Sequence, residues 1–359
     1  MKTKKGDSNI KKGFWDKFKA LQDPQRVRPV RQAQGKQAHG KIAHGKPFFA
    51  IAPMADVTDI AFRQMFVKYG RPDVFWTEFV SADGLCSAGR EVLLKDLAFS
   101  KKEKPIVAQI FSSNPENCLK TAQLIAKLGF DGIDINMGCP DRNVEKQGAG
   151  AALMKNPKLA QEIIRATKVG AGKMPVSVKT RIGYNKDQID EWIPKLLEMD
   201  IAALTVHGRT RKEMSDVPAR WEDIARVVKI RDKMGKDTLI IGNGDVQSLE
   251  DGLAKAQISG VDGVMVGRGV FGNPWFFNKK QKEIPTREKL KVLVEHTKLF
   301  EKKLSSTGIK NFAVMKKHFK AYVTGFDRAK ELRMELMETT NAKEVEKVIS
   351  TFLKNKDKV

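Results

Sequence analysis

Cysteine is scarce in this sequence, with three in 359 residues, Cys86, Cys118 and Cys139. They are too few and too scattered for a disulfide framework or a CxxC metal site, so each reads as a thiol and no metal is expected. Long apolar runs are missing as well. Nowhere do 18 apolar residues follow one another, and the lysine-bearing N-terminus has no apolar stretch ending in a small-residue cleavage site. Both absences exclude a spanning helix and a secretory leader, and lead to the expectation of a cytoplasmic protein with no membrane partner. Acidic residues are the third shortage: 43 Asp and Glu stand against 66 Lys and Arg, a formal charge of +23.

That excess is segregated. Residues 1–47 carry 13 basic and 3 acidic side chains, residues 278–359 carry 21 and 11, and the body between them is left with a net charge of only +3. A near-neutral centre flanked by two basic segments fits a catalytic body with polyanion-binding arms, because clustered Lys and Arg gain affinity from phosphates by releasing condensed counterions. Solubility alone would not need such segregation.

What is present between residues 48 and 268 is an alternation of short apolar runs with longer amphipathic stretches. The runs are Phe48 to Met54, Val74 to Val80, Ile106 to Phe111, Gly132 to Gly138, Val176 to Arg181, Ala203 to Gly208, Leu239 to Asp245 and Gly263 to Arg268. Helix signals separate them: Glu116 to Leu128 opens after Asn114-Pro115 and stops at Gly129, and Pro157 to Val169 follows Asn156. Eight strand–helix units in about 220 residues predict an α/β fold, a (β/α)8 TIM barrel. The apolar spacing through Leu290, Leu293, Leu332, Leu336 and Val345 predicts a small C-terminal helical domain. The expected division is a basic, mostly disordered arm over 1–46, a barrel over 47–277 and helices over 278–359. Within the arm, Ile10, Phe14, Trp15, Phe18 and Leu21 have the spacing of an amphipathic turn or two that docks on the protein's own body.

Nearly every apolar run ends in a chemically capable group: Met54, Glu78, Gln109, Asn136, Lys179, His207, Asn243 and Arg268. Barrel active sites lie on this C-terminal rim, so the pattern points to an enzyme. Gly242-Asn243-Gly244-Asp245 and Gly267-Arg268-Gly269 put glycines after strands 7 and 8, where barrels bind phosphate through backbone N–H groups. Cys139 follows strand 4 on a polar loop that runs to Gly150 and is long enough to act as a lid, while Cys86 and Cys118 sit in helical contexts and read as structural. His207 is the one histidine of five inside the barrel, and beside Lys179, Arg181 and Arg209 it would complete a cationic floor for a substrate that gains negative charge.

Ala52-Pro53-Met54-Ala55, Ile133 to Pro140, Val178-Lys179-Thr180-Arg181, His207-Gly208-Arg209-Thr210 and Asn243-Gly244-Asp245, in this order on successive strand ends, resemble the bacterial tRNA-dihydrouridine synthase family. The resemblance runs from about residue 47 to the C-terminus and leaves the basic arm outside. It implies FMN at the barrel mouth, held by Pro53, Met54, Ala55, Gln109, Lys179, His207, Asn243, Gly244, Asp245, Gly267 and Arg268. It further implies NADPH as electron donor and a specific tRNA uridine as substrate. Cys139 then gives the proton, Lys179, Arg181 and His207 stabilise the reacting base, and Lys310, Lys316, Lys317, Lys320 and Arg328 touch the tRNA. The arm adds sequence-independent RNA affinity, and the expected state is a monomer. Two rivals remain at this level. One is an FMN barrel acting on a small pyrimidine acid, like a dihydroorotate dehydrogenase, which needs no basic arms; the other is a silent RNA-binding barrel, for which Cys139, Lys179 and His207 are superfluous.

Overall fold

The computed structural model describes residues 14–22, 45–280 and 283–356. Eight strands form its centre: β1 Phe48–Ile51, β2 Phe75–Ser81, β3 Ile106–Phe111, β4 Gly132–Met137, β5 Val176–Arg181, β6 Ala203–His207, β7 Leu239–Asn243 and β8 Gly263–Val266. All pair in parallel in the order β1-β8-β7-β6-β5-β4-β3-β2. A bridge between Ala50 and Val74, with Asp73 N–H donating to the Phe49 carbonyl at 2.9 Å, joins β1 to β2 and closes the ring. Strands covered on both faces read as continuous apolar runs, which is why all eight were visible in the sequence. Several runs overshoot their strands by one to three residues, because Met54, Asp245 and Arg268 leave the ladder and turn into the rim.

The covering helices start where the caps dictate. The Asn114 side chain accepts from the N–H groups of Glu116 and Asn117, Pro115 occupies the first turn, and Gly129 closes helix Pro115–Leu128 at φ +81°. Asn156 does the same for helix Pro157–Ala171 by accepting from Leu159 N–H.

Beyond the barrel, helices Thr286–Phe300, Met315–Tyr322, Ala329–Met337 and Ala342–Lys356 enclose a second core of Leu290, Phe300, Phe319, Leu332 and Leu336. This core continues into the barrel through Ala61, Met65 and Trp275. Helix Phe14–Gln22 lies beneath the barrel, where Trp15 is buried against Phe48 and Trp76 with ring centroids 5.7 and 6.0 Å apart. The expectation that this stretch docks on the protein's own body therefore holds for Phe14, Trp15 and Phe18. Ile10, the Leu21 side chain and most of the expected arm lie outside the described residues. No helix among those described is long and apolar enough to cross a membrane.

Candidate active site

At the C-terminal mouth of the barrel a cavity of about 620 Å³ opens between the loops after β1, β4, β5, β6, β7 and β8. Pro53, Met54, Lys179, Arg181, His207, Asn243, Gly244, Asp245, Gly267 and Arg268 all line it, and so do Arg209, Met214 and Gln247. Four cations thus face one carboxylate, and that carboxylate is already engaged: Asp245 pairs with Arg209, lies 3.1 Å from Arg268, and accepts from Ala219 N–H at 2.8 Å. The wall carries a net positive charge. Lys179 has no hydrogen-bond acceptor among the described residues, and burial together with the Arg181 charge brings its pKa down to about 8. Burial likewise brings Arg181 down to about 10.

Arg181 is anchored as well as charged. Its Nε donates to the Gly138 carbonyl at 2.9 Å, and Nη1 donates to the carbonyls of Thr210 and Met214. It fixes the backbone just before Cys139 and the loop after β6 at once. His207 departs from the cationic floor expected of it, because burial and then the charge of Arg181 push its pKa well below the ordinary imidazole value. Its Nε2 lies 3.0 Å from Arg209 Nη1, which can only donate, so Nε2 accepts and the ring proton sits on Nδ1.

The glycines keep space open. A side chain at Gly267 would meet nothing closer than Ala52 Cβ at 4.0 Å, so the missing Cβ leaves room in the cavity itself. Gly244, at φ +131°, passes so close to Ala219 and His207 that a Cβ would lie 2.5 Å from the Ala219 methyl. These loops and Arg268 offer what a phosphate needs, and a Gly267 cradle of this kind fits a phosphorylated cofactor.

Cys139 sits at the edge of the cavity, one residue before the wall residue Pro140. Its thiol is half-buried and packs with Phe79, Phe111, Val144 and Ala149. Burial pushes its pKa up, against the opposing pull of the Asp141 N–H, Lys179 and Arg181, so it remains a thiol at neutral pH. The loop after it is pinned rather than loose. Asp141 caps helix Arg142–Lys146, Glu145 pairs with Arg211 from the loop after β6, and Gly150, at φ +61°, lies where a Cβ would press on the Cys139 carbonyl at 2.8 Å.

Three expected residues fall elsewhere. Gln109 is fully buried below the cavity, where Nε2 donates to Asp134 at 2.6 Å and Oε1 accepts from Asn136 at 3.0 Å, so its amide is spent inside the barrel. Ala55 is exposed and off the wall. Lys310 is not a free surface cation: its ammonium lies 2.7 Å from Glu78 and 3.1 Å from Asp56, with the side chain 9% exposed. Lys317, Lys320 and Arg328 are exposed and Lys316 is half-buried on the tail. Sequence reasoning overlooked Asp134, which Ser177 and Gln109 support and whose pKa burial raises to about 6. An acid in the middle of an apolar strand was the available signal.

An eight-stranded barrel with a cation-lined, glycine-edged cavity at its C-terminal mouth defines a barrel enzyme. Among solved structures the fold is shared with a 2-naphthoyl-CoA reductase complex, at TM-score 0.51 and 11% identity over 68% of this chain and 51% of that one. It is shared too with histamine dehydrogenase from Rhizobium sp. 4-9, at TM-score 0.50 and 10% identity over 72% and 49%. The dihydrouridine synthase family model matches residues 50–357. A probable tRNA-dihydrouridine synthase of Staphylococcus aureus (strain COL) is 45% identical over 309 residues, covering 86% of this chain and 93% of the relative. Probable tRNA-dihydrouridine synthase 2 of Bacillus subtilis (strain 168) is 44% identical, covering 86% and 94%. The chain belongs to the dihydrouridine synthase family.

Proposed function

We propose that this protein is a tRNA-dihydrouridine synthase that reduces the C5–C6 bond of particular tRNA uridines, with FMN as its cofactor and NADPH as the electron donor. The observation that carries the reading is the cavity in which Lys179, with no hydrogen-bond acceptor among the described residues and close to Arg181, faces the loop that bears the Cys139 thiol. FMN would be held by the glycine-edged loops after β7 and β8, by Arg268, and by Pro53, Met54, Lys179 and His207. When bound it supplies the hydride that C6 of the base receives.

The chain's own residues must then do three things. They hold a uracil that has left its stack, at a cost of a few kcal/mol that backbone contacts elsewhere must offset. They stabilise the negative charge that gathers on O4 as C6 is reduced, which is the work of Lys179 on the cavity wall. They deliver a proton to C5. Cys139 suits that task, since its raised pKa keeps the thiol protonated and the nearby Lys179 and Arg181 stabilise the thiolate left behind. His207, neutral and accepting from Arg209 at Nε2, orients rather than charges the site. Lys316, Lys317, Lys320 and Arg328 supply phosphate contacts from the tail.

The test is flavin content and substrate dependence together. Purified protein loaded with FMN should absorb in the flavin region and, once reduced by NADPH, be reoxidised faster by unmodified tRNA than by orotate. Failure to bind FMN would favour a silent RNA binder, and indifference to tRNA a small-substrate flavoenzyme.

A further inference from the structure

Lys310 was expected to touch RNA, yet it is half-buried and ion-paired where the helical tail meets the barrel rim. Its Nζ lies 2.7 and 2.9 Å from the two carboxylate oxygens of Glu78 on β2, and 3.1 Å from Asp56 in the loop after β1. Glu78 also accepts from the Asp56 backbone N–H. Asp56 sits there at φ +53°, in the left-handed region that Asp enters more readily than most side-chain-bearing residues. Two residues earlier is Met54, on the cavity wall. Two residues after Lys310 is Phe312, buried in the tail core just ahead of helix Met315–Tyr322.

We propose that Lys310 is a positioning residue: its ammonium, clasped by Glu78 and Asp56, sets the basic helix of the tail and the β1 loop of the cavity in one fixed relation, and makes no contact with RNA itself. Lys310 faces several carboxylates at once, while Lys317 reaches only Asp56 among the described residues, at 3.5 Å. Asp59, whose Oδ1 caps helix Ile60–Tyr69, has its Oδ2 buried with no partner among the described residues, and the Lys310 charge opposes the rise that burial imposes on it. Removing the ammonium would leave this cluster without its central cation, which is the costly way to break a buried ion pair. The same contact couples flavin-side and RNA-side geometry, because a shift of Lys310 moves both the Asp56 turn and the segment leading into Met315–Tyr322.

The inference rests on the tRNA reading for its functional arm only. Glu78→Gln separates the two roles of Lys310 by sign. If Lys310 is a phosphate contact, freeing it from Glu78 leaves tRNA affinity unchanged or improves it; as a positioning residue it loses its anchor and binding weakens. We expect Glu78→Gln and Lys310→Met in the FMN-loaded protein each to raise the KM for tRNA about tenfold. The double variant should be no worse than either single one, and Lys310→Arg should restore most of the loss. Hydrogen exchange in residues 54–58 and 310–322 should quicken together in both single variants, with thermal melts confirming that each remains folded. A tRNA KM that falls in Glu78→Gln, or exchange that stays at the wild-type rate in both segments, overturns the proposal. Should the wild type ignore tRNA, the proposed function fails on its own, and the exchange rates still decide the coupling.

Discussion

Lys179 shows how much a single position can carry. Burial, and then the Arg181 guanidinium nearby, lowers its pKa to about 8, so it is charged at neutral pH and loses that charge as the medium turns alkaline. If it stabilises charge on the reacting base, kcat/KM for tRNA should fall on the alkaline side with a midpoint near pH 8, and Lys179→Met should be slower by about 100-fold or more and lack that limb. A wild-type profile flat through that range would remove Lys179 from the role. Lys179, His207, Asn243 and Gly267 were legible because each sits near the end of an apolar run, and strand ends form the rim. Gln109 obeyed the same pattern and still lies below the cavity. Its β3 position faces Asp134 across the ladder, and which rim side chain reaches the opening depends on that pairing register, which no single run reveals. The charge on His207 was misjudged for a related reason: four guanidinium or ammonium groups close around it only after folding.

At the scale of elements, all eight strands were readable, since burial on both faces leaves no polar alternation to confuse them. The helices opened by Asn114 and Asn156 were readable from their caps. Short pieces such as Ala82–Leu85 and Arg90–Leu94 were not, having too few residues for a 3.6 period to register. Helix Phe14–Gln22 is the instructive case. Its stripe of aromatics showed that it would dock, and its neighbours Phe48, Trp76 and Gly132 at the starts of strands show where. Trp15→Ala should cost about 3–5 kcal/mol, measured by urea unfolding, by emptying the space under the barrel. A loss below about 1 kcal/mol would mean that the barrel closes without this helix.

For the whole molecule, the seam between barrel and tail sets the response to acid. His296 and His318 are fully buried there with ring centroids 4.7 Å apart, beside Phe62 of the barrel, and none of their ring nitrogens has a partner among the described residues. Burial holds both below the ordinary value, His318 at about 3. The folded state therefore refuses protons that the unfolded chain accepts from about pH 6.5 downward. Stability present above that pH should drain away as pH falls towards 3, and His318→Leu should flatten the decline of Tm between pH 6.5 and 4 relative to wild type. An identical slope in the variant would contradict this. Glu78 takes no part in that decline: burial raises its carboxyl to about 7 against the opposing pull of the Lys310 ammonium. The comparison with the variant isolates the histidine. None of this seam was legible in the sequence, where Lys310 read as an RNA contact and no position was read for His296; only packing of the tail against helix Ile60–Tyr69 buries the two histidines.

The central claim is that a cation-lined cavity and the Cys139 thiol together reduce uridine in tRNA. Position-by-position dihydrouridine content, in tRNA lacking the modification, tests it directly when the FMN-loaded wild type and Cys139→Ala are each supplied with NADPH. The account predicts that defined uridines are reduced by the wild type and about 100-fold or more slowly by Cys139→Ala, while both forms oxidise NADPH at similar rates. Reduction at equal rates in the two proteins, or NADPH oxidation by the wild type with every tRNA uridine left intact, would contradict it.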